Sequence, residues 1–235
     1  MREPRSDLVS SPPSPVAGLR VLGDLLVRPR RAFATIGLER RWFAAYLLTV
    51  GLELAALYLF EPALAHVSLA QTRPGGTSAG LPATQAVRDL VLVNVLATVL
   101  GPLVIWGLVA GLLAATTLGQ RDRLGYAAFF ALCMNCAFVG SLGDFVGAAF
   151  IHVRDPASFA SFGKILLAAP ITLASLRPHG SERELVFLGY WDPTKLWSAL
   201  LLGYGIASLA KMRLVPALLI AFGIALAMAL VTVGN

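Results

Sequence analysis

Residues 214–233 read LVPALLIAFGIALAMALVTV, a run of about twenty positions without a charged side chain. A helix on the surface of a soluble protein keeps a polar face, whereas a helix that is apolar all round is buried in protein or in lipid. Roughly 20 apolar residues are the length that crosses the hydrocarbon core of a bilayer. The stretch therefore predicts a transmembrane helix.

Other apolar runs precede this stretch and predict further spans at about 42–60, 90–118, 125–151 and 194–210. The composition agrees, because 57% of the residues are hydrophobic and 14% are charged, whereas a soluble domain is about a quarter charged. We expect an all-α integral membrane protein, with a bundle of about five transmembrane helices over residues 42–235. A shorter apolar run at 164–176 contains a proline and fits a re-entrant or interfacial helix, or alternatively a sixth span.

The region before the first span divides into two parts. Residues 1–15 are rich in serine and proline and predict a disordered tail. Residues 16–41 predict a cytoplasmic amphipathic segment, whose helix carries Leu19, Leu22 and Leu26 on one face. Because this helix is too short to span a bilayer, we expect it to lie in the membrane interface.

Basic residues flank the apolar runs. The net charge is +6, and its placement beside the spans indicates membrane topology rather than nucleic-acid binding. The loops at 120–124 and 211–213 are short and basic, which predicts an N-terminus inside and a C-terminus outside. The cluster before the first span is a candidate site for anionic lipid headgroups; it consists of Arg28, Arg30, Arg31, Arg40 and Arg41.

Small residues recur at four-residue spacing within the predicted spans, as in Gly107-x-x-x-Gly111 and in the series Ala217, Ala221 and Ala225. Helices in lipid associate through close contacts between such residues. The pattern predicts a compact bundle, with a face left for another membrane protein or for a second copy of the chain.

A few polar side chains interrupt the apolar spans and form a candidate intramembrane polar site: Glu53, Asp144, Asn94 and Asn135. Ionisable residues within a membrane are costly and often mark ion or proton pathways. The alternative is structural, with each group hydrogen-bonded to a neighbouring helix.

Motifs of known chemistry are scarce. Cys133 and Cys136 form a CxxC motif inside a predicted span, where small packing residues are the favoured interpretation and a redox or metal site is the alternative. His66, His152 and His179 lack the spacing of metal ligands. We therefore predict no catalytic residues, no cofactor and no metal, and a protein that is not an enzyme.

Three stretches resemble the Yip1 family of polytopic membrane proteins in its bacterial form. They are LVRPRRAF at 26–33 followed by Trp42, the basic turn and aromatic helix start at 120–128, and residues 192–211 with Leu196-Trp197 and Gly203-Tyr204-Gly205. The likeness covers roughly residues 20–235. It implies a five-span bundle with a cytoplasmic N-terminus, in the bacterial cytoplasmic membrane, without enzymatic activity.

The leading functional hypothesis follows from this resemblance. It is a protein that acts by binding, either as a membrane-organising scaffold or as an accessory subunit of a transport or export complex. The alternative is a small secondary transporter or channel that uses Glu53 and Asp144. A membrane thiol oxidoreductase is a more distant alternative, which would depend on Cys133.

Overall fold

The computed structural model describes residues 15–39, 41–71, 83–116, 125–169 and 172–234, and the regular secondary structure in these ranges is helical. The α-helices in chain order are α1 (Pro15–Val27), α2 (Pro29–Glu39), α3 (Phe43–Gln71), α4 (Ala83–Thr116), α5 (Tyr126–His152), α6 (Phe162–Ala168), α7 (Glu182–Gly189), α8 (Pro193–Leu209) and α9 (Leu214–Gly234). The all-α prediction is confirmed for these residues. Most of the predicted tail, Arg40 and the whole loop at 120–124 lie outside the described residues.

Four helices in the described part of the chain are long and apolar enough to cross a membrane, which fits an integral membrane protein. The candidate segments are Phe43–Val67, Leu92–Thr116, Tyr126–His152 and Leu214–Thr232. Helix α3 continues well past the predicted end at residue 60, because Pro62 is accommodated inside the helix. Proline is tolerated in membrane helices, where neighbouring groups satisfy the freed backbone carbonyl. Helix α8 has 17 residues and is shorter than these four segments.

Helix α5 is the central helix of the bundle. Most of its residues are buried, and it packs against α2, α3, α4 and α8. Its fully buried side chains include Phe129, Leu132 and Met134. The core therefore forms around one apolar helix, while the other long helices expose much of their surface, as lipid-facing helices do.

Close contact between helices depends on particular glycines. At Gly203 in α8, an added Cβ would lie 2.6 Å from Leu218 Cδ2 in α9, so these helices approach to backbone distance. The predicted Gly107–Gly111 contact is formed only in part within the described chain: a Cβ added at Gly107 would lie 3.1 Å from the Tyr126 hydroxyl of α5, whereas nothing lies within 4 Å of a Cβ added at Gly111. The buried residues of α4 lie on another face of the helix and include Val109, Ala110 and Leu113.

The turn from α8 to α9 brings the last helix back beside α8. Lys211 has a φ of 50°, in the left-handed region. The Met212 N–H donates to the Ala207 carbonyl over 3.2 Å, and the Ala210 N–H donates to the Ile206 carbonyl. The first of these is the 6→1 bond of a Schellman C-cap, which satisfies a terminal carbonyl of α8 and reverses the chain.

Of the stripe of α1 that we expect to face lipid, only Leu22 is contradicted by the structure, because it is buried against the bundle. Val21, Leu22 and Leu25 are buried, whereas Leu19 and Leu26 are 52% and 43% exposed. Two apolar stripes overlap on this helix, and contact with the bundle decides which of them is buried. Helix α1 packs on α3, and α2 packs on α5 and α8. The two helices are thus docked on protein, in addition to any contact with the membrane interface.

The apolar run at 164–176 forms neither a sixth span nor one continuous helix. Helix α6 has seven residues, far fewer than a bilayer requires. Ile165 of α6 is fully buried and belongs to a cluster with Ala63 of α3, Ile151 of α5 and Phe159. Residues 153–191 therefore supply short helices and turns that pack over one end of α3 and α5.

Candidate functional site

The site is built where the first turn of α8 meets α5. Asp192 is the N-cap of α8, and its Oδ1 accepts hydrogen bonds from the backbone N–H groups of Thr194 and Lys195 over 2.7 and 2.8 Å. Pro193 follows as the first helical residue, where its fixed φ and missing N–H suit a helix start. The Asp-Pro pair thus fixes the direction in which Lys195 leaves the helix.

Two glycines of α5 let this turn approach closely. A Cβ added at Gly143 would lie 2.8 and 2.9 Å from the two Asp192 carboxylate oxygens and would overlap the Thr194 hydroxyl. A Cβ added at Gly140 would lie 3.4 Å from the Lys195 side chain. The glycine positions therefore supply the space that the polar first turn of α8 occupies.

Polar side chains of α8 also bind the α5 backbone along this line of contact, which we call the α5–α8 seam. The Ser198 hydroxyl donates to the Cys136 carbonyl over 2.7 Å. The Thr194 hydroxyl lies 3.3 Å from the Gly140 carbonyl. These contacts hold the two helices in one register beside the charged residues.

Lys195 forms an ion pair with Asp144 of α5, and both side chains are largely shielded from solvent. The ammonium also lies 5.6 Å from the centre of the Tyr190 ring, within the range of a cation–π contact. Burial raises the pKa of the Tyr190 phenol, so the ring stays neutral at physiological pH. The charge of Lys195 is therefore stabilised from two sides.

Glu53 of α3 completes the cluster, which we call the charged triad (Glu53, Asp144 and Lys195). Its carboxyl lies close enough to interact electrostatically with both partners. Glu53 lines two adjoining cavities of about 520 and 310 Å³. Lys195 lines the larger cavity and Asp144 the smaller, so the triad lies where the cavities meet.

The structure brings together three of the four predicted polar residues. Glu53 and Asp144 interact directly, and Asn94 of α4 lines the larger cavity. Asn135 lines neither of these two cavities. It is buried, and its amide donates to the Arg41 and Ala131 carbonyls over 2.8 and 2.7 Å, which ties α5 to the chain just before α3.

Lys195 is absent from the candidate residues that the sequence indicates, although it lies at the start of the predicted span at 194–210. Two unpaired carboxyl residues in predicted spans were the available signal, because charges inside a membrane pair with one another. A lysine one turn into a short apolar helix was the matching cation.

The cysteines are fully buried and are not joined by a disulfide. The backbone of Cys136 accepts the bond from Ser198 described above. Among the residues that the structure describes, no group of three histidine, cysteine, aspartate or glutamate side chains is arranged to hold a metal ion.

The arginine cluster before the first span is partly neutralised. Arg31 pairs with Asp24 over 3.6 Å, and Arg41 pairs with Glu39 over 2.5 Å. Arg28 and Arg30 are exposed, as is Arg31, while Arg40 lies outside the described residues. Lipid binding by this cluster stays a prediction.

Comparison of the chain with protein-family models, curated proteins and solved structures finds no match. The resemblance to the Yip1 family therefore stays a prediction from the three sequence stretches. The charged triad and the cavities beside it are the features of the molecule that bear on its function.

Proposed function

We propose that this chain is a five-span integral membrane protein that works as a small secondary transporter or channel and exchanges a proton for a cation at the charged triad. The observation that carries the proposal is that three ionisable side chains, from α3, α5 and α8, meet beside cavities inside the helix bundle. Ionisable groups that face a cavity within a membrane protein commonly serve ion or proton pathways.

The charge balance of the triad supports exchange. Two carboxyl groups face one ammonium, which leaves one excess negative charge in a region of low dielectric. A proton shared between Glu53 and Asp144, or a bound cation, removes this excess. Tyr190 is neutral, and Asp192 is satisfied separately by hydrogen bonds from the first turn of α8. The triad itself thus has two neutral states, one protonated and one cation-loaded.

The proposal treats α8 as the fifth span, with the N-terminus inside. Helix α8 packs between α5 and α9, and its mid-section is apolar. The basic residues at 121–123 and 211–213 then lie on the inner side. The short helices at 153–191 lie on the outer side, where they cover the end of the bundle nearest the triad.

The test is proton exchange in proteoliposomes loaded with a pH-sensitive dye at acid internal pH. Addition of Na⁺ or K⁺ outside should make the lumen alkaline with the unaltered protein. Glu53→Gln keeps the volume and hydrogen-bonding capacity of the side chain but cannot gain or lose a proton, so the variant should fold and lose the response. Glu61→Gln is the matched control, because Glu61 lies in the same helix, is exposed and lines neither cavity.

A full response from Glu53→Gln, or none from the unaltered protein with either cation, would count against exchange. The second proposal, a scaffold or an accessory subunit, would then take its place. It is supported by the surface of α4, where a Cβ added at Gly111 would meet nothing within 4 Å, leaving room for a helix of another protein. On that proposal, Glu53→Gln is harmless and the protein co-purifies with a membrane partner.

A further inference from the structure

The larger cavity, of about 520 Å³, lies among α3, α4, α5, α8 and α9. Most of its walls are apolar, and they include Phe60 of α3, Trp106 of α4 and Met228 of α9. Sites for small organic ligands fall in this size range and combine apolar walls with a few polar groups.

Thr49 is a further polar residue of the larger cavity and does not belong to the charged triad. Its side chain lines the same cavity one helical turn before Glu53, and the residue is 3% exposed. Its hydroxyl oxygen has no hydrogen-bond partner among the described residues. A threonine within a helix commonly donates to the carbonyl four residues earlier, and a buried hydroxyl without a partner is destabilising. The oxygen is buried in this rotamer, so the hydroxyl becomes available to a ligand in the cavity when the Thr49 side chain turns toward it.

The charges select the kind of ligand. The ammonium of Lys195 is held by Asp144 and the Tyr190 ring, so it is not free to bind an anion. Glu53 is the remaining carboxyl, and Asn94 of α4 adds an amide to the cavity lining. A group that carries a positive charge and donates hydrogen bonds satisfies both the Glu53 carboxylate and the Thr49 hydroxyl.

We propose that the larger cavity binds an organic primary amine, with its ammonium between Glu53 and Thr49 and its apolar body against the walls formed by α4 and α9. This inference rests on the proposed function, since it names the class of cation that the triad takes. The Asp144–Lys195 pair positions α8 and does not touch the ligand.

The test is calorimetric titration of the full chain in lipid nanodiscs, with the signal of empty nanodiscs subtracted. The probes are 4-phenylbutylamine, 4-phenylbutanol and 4-phenylbutyrate, which share a body and differ in the head group. The amine should bind, and the alcohol and the acid should bind at least about tenfold more weakly, because they lose the charge-assisted hydrogen bonds.

Two variants locate the site independently. Glu53→Gln should weaken amine binding by about tenfold or more, and Thr49→Val, which keeps the shape without the hydroxyl, by about fivefold. Glu61→Gln should leave it unchanged. If Glu53→Gln does not fold, Thr49→Val still decides. Equal binding of amine and alcohol, no binding of the amine at millimolar concentration, or full affinity in Thr49→Val would overturn the proposal.

The outcome is separable from that of the proposed function. Loss of amine binding with Na⁺- or K⁺-driven proton exchange intact would reject the ligand class and leave exchange standing. Amine binding without exchange of either cation would leave the site standing and reject exchange of inorganic cations.

Discussion

Substitution of Gly143 by alanine tests whether the glycine in α5 makes room for the first turn of α8. The new methyl group would lie within 3 Å of both Asp192 oxygens and would overlap the Thr194 hydroxyl. Neither group can move freely, since Asp192 is held by the α8 backbone. The first turn of α8 must therefore shift away from α5.

The expected decrease in stability of Gly143→Ala has two causes. Overpacking in a well-packed interior destabilises by about 1–3 kcal/mol. Loss of the Asp192 cap adds about 1 kcal/mol. Gly147→Ala is the matched control one turn further along α5, because its Cβ would lie at an ordinary 3.7 Å from Ala169. Both variants gain about the same helix propensity, so we expect Gly143→Ala to be less stable than the control by about 2–4 kcal/mol.

The assay is reversible unfolding in mixed micelles with increasing dodecyl sulfate, followed by circular dichroism. The difference between the two alanine variants is the measured quantity, so errors of extrapolation largely cancel. Equal midpoints for Gly143→Ala and Gly147→Ala would refute the close approach of α8 to α5.

Two further predictions concern the cysteines and the cap of α7. Cys133 and Cys136 are fully buried and belong to no group of metal-ligating side chains in the described chain, so replacing both by alanine should lower stability by only about 1 kcal/mol each. In that background, a single cysteine at Ser181 should react with an impermeant thiol reagent from outside, and labelling only from inside would reverse the topology. Hydrogen bonds from the Ser181 backbone and hydroxyl lower the pKa of Glu184, so this stabilisation of α7 is present above about pH 4.5 and is lost as the pH falls through the depressed pKa. Ser181→Ala should move the Glu184 carboxyl, followed by carbon NMR, back toward its ordinary pKa, and an unchanged titration would contradict the capping geometry.

The long helices could be predicted from sequence because lipid imposes a simple rule on them. A run such as residues 214–233 needs about 20 apolar positions to cross the bilayer, and helix α9 begins at Leu214 as expected. The ends of the helices are harder to predict where the sequence contains a proline. The first span is predicted to end at about residue 60, yet α3 continues through Pro62 to Gln71.

Which face of a helix is buried could not be read from periodicity alone. In α1 the predicted stripe contains Leu19 and Leu26, while the buried stripe contains Val21 and Leu25. Both satisfy a helical repeat. The choice is made by Gly18, where an added Cβ would lie 2.7 Å from Ala44 Cβ, so that this side of α1 alone can approach α3 closely. Such a contact joins residues distant in sequence and has no local signature.

The charged triad depends on the α5–α8 seam more than on its own charges. Cys136, Gly140 and Asp144 recur at four-residue spacing on α5, and each meets a polar side chain of α8. The contacts at Cys136 and Gly140 are hydrogen bonds to backbone carbonyls of α5. The side chains at these two positions are small and give no sign of a polar contact. The third pairs the charges. Because the helices are held together by backbone contacts at Cys136 and Gly140, Lys195 is held beside Asp144, while Glu53, on α3, faces the cavity. Of the two carboxyl residues in the triad, Asp144 holds α8 in position, which leaves Glu53 for the ligand that we propose.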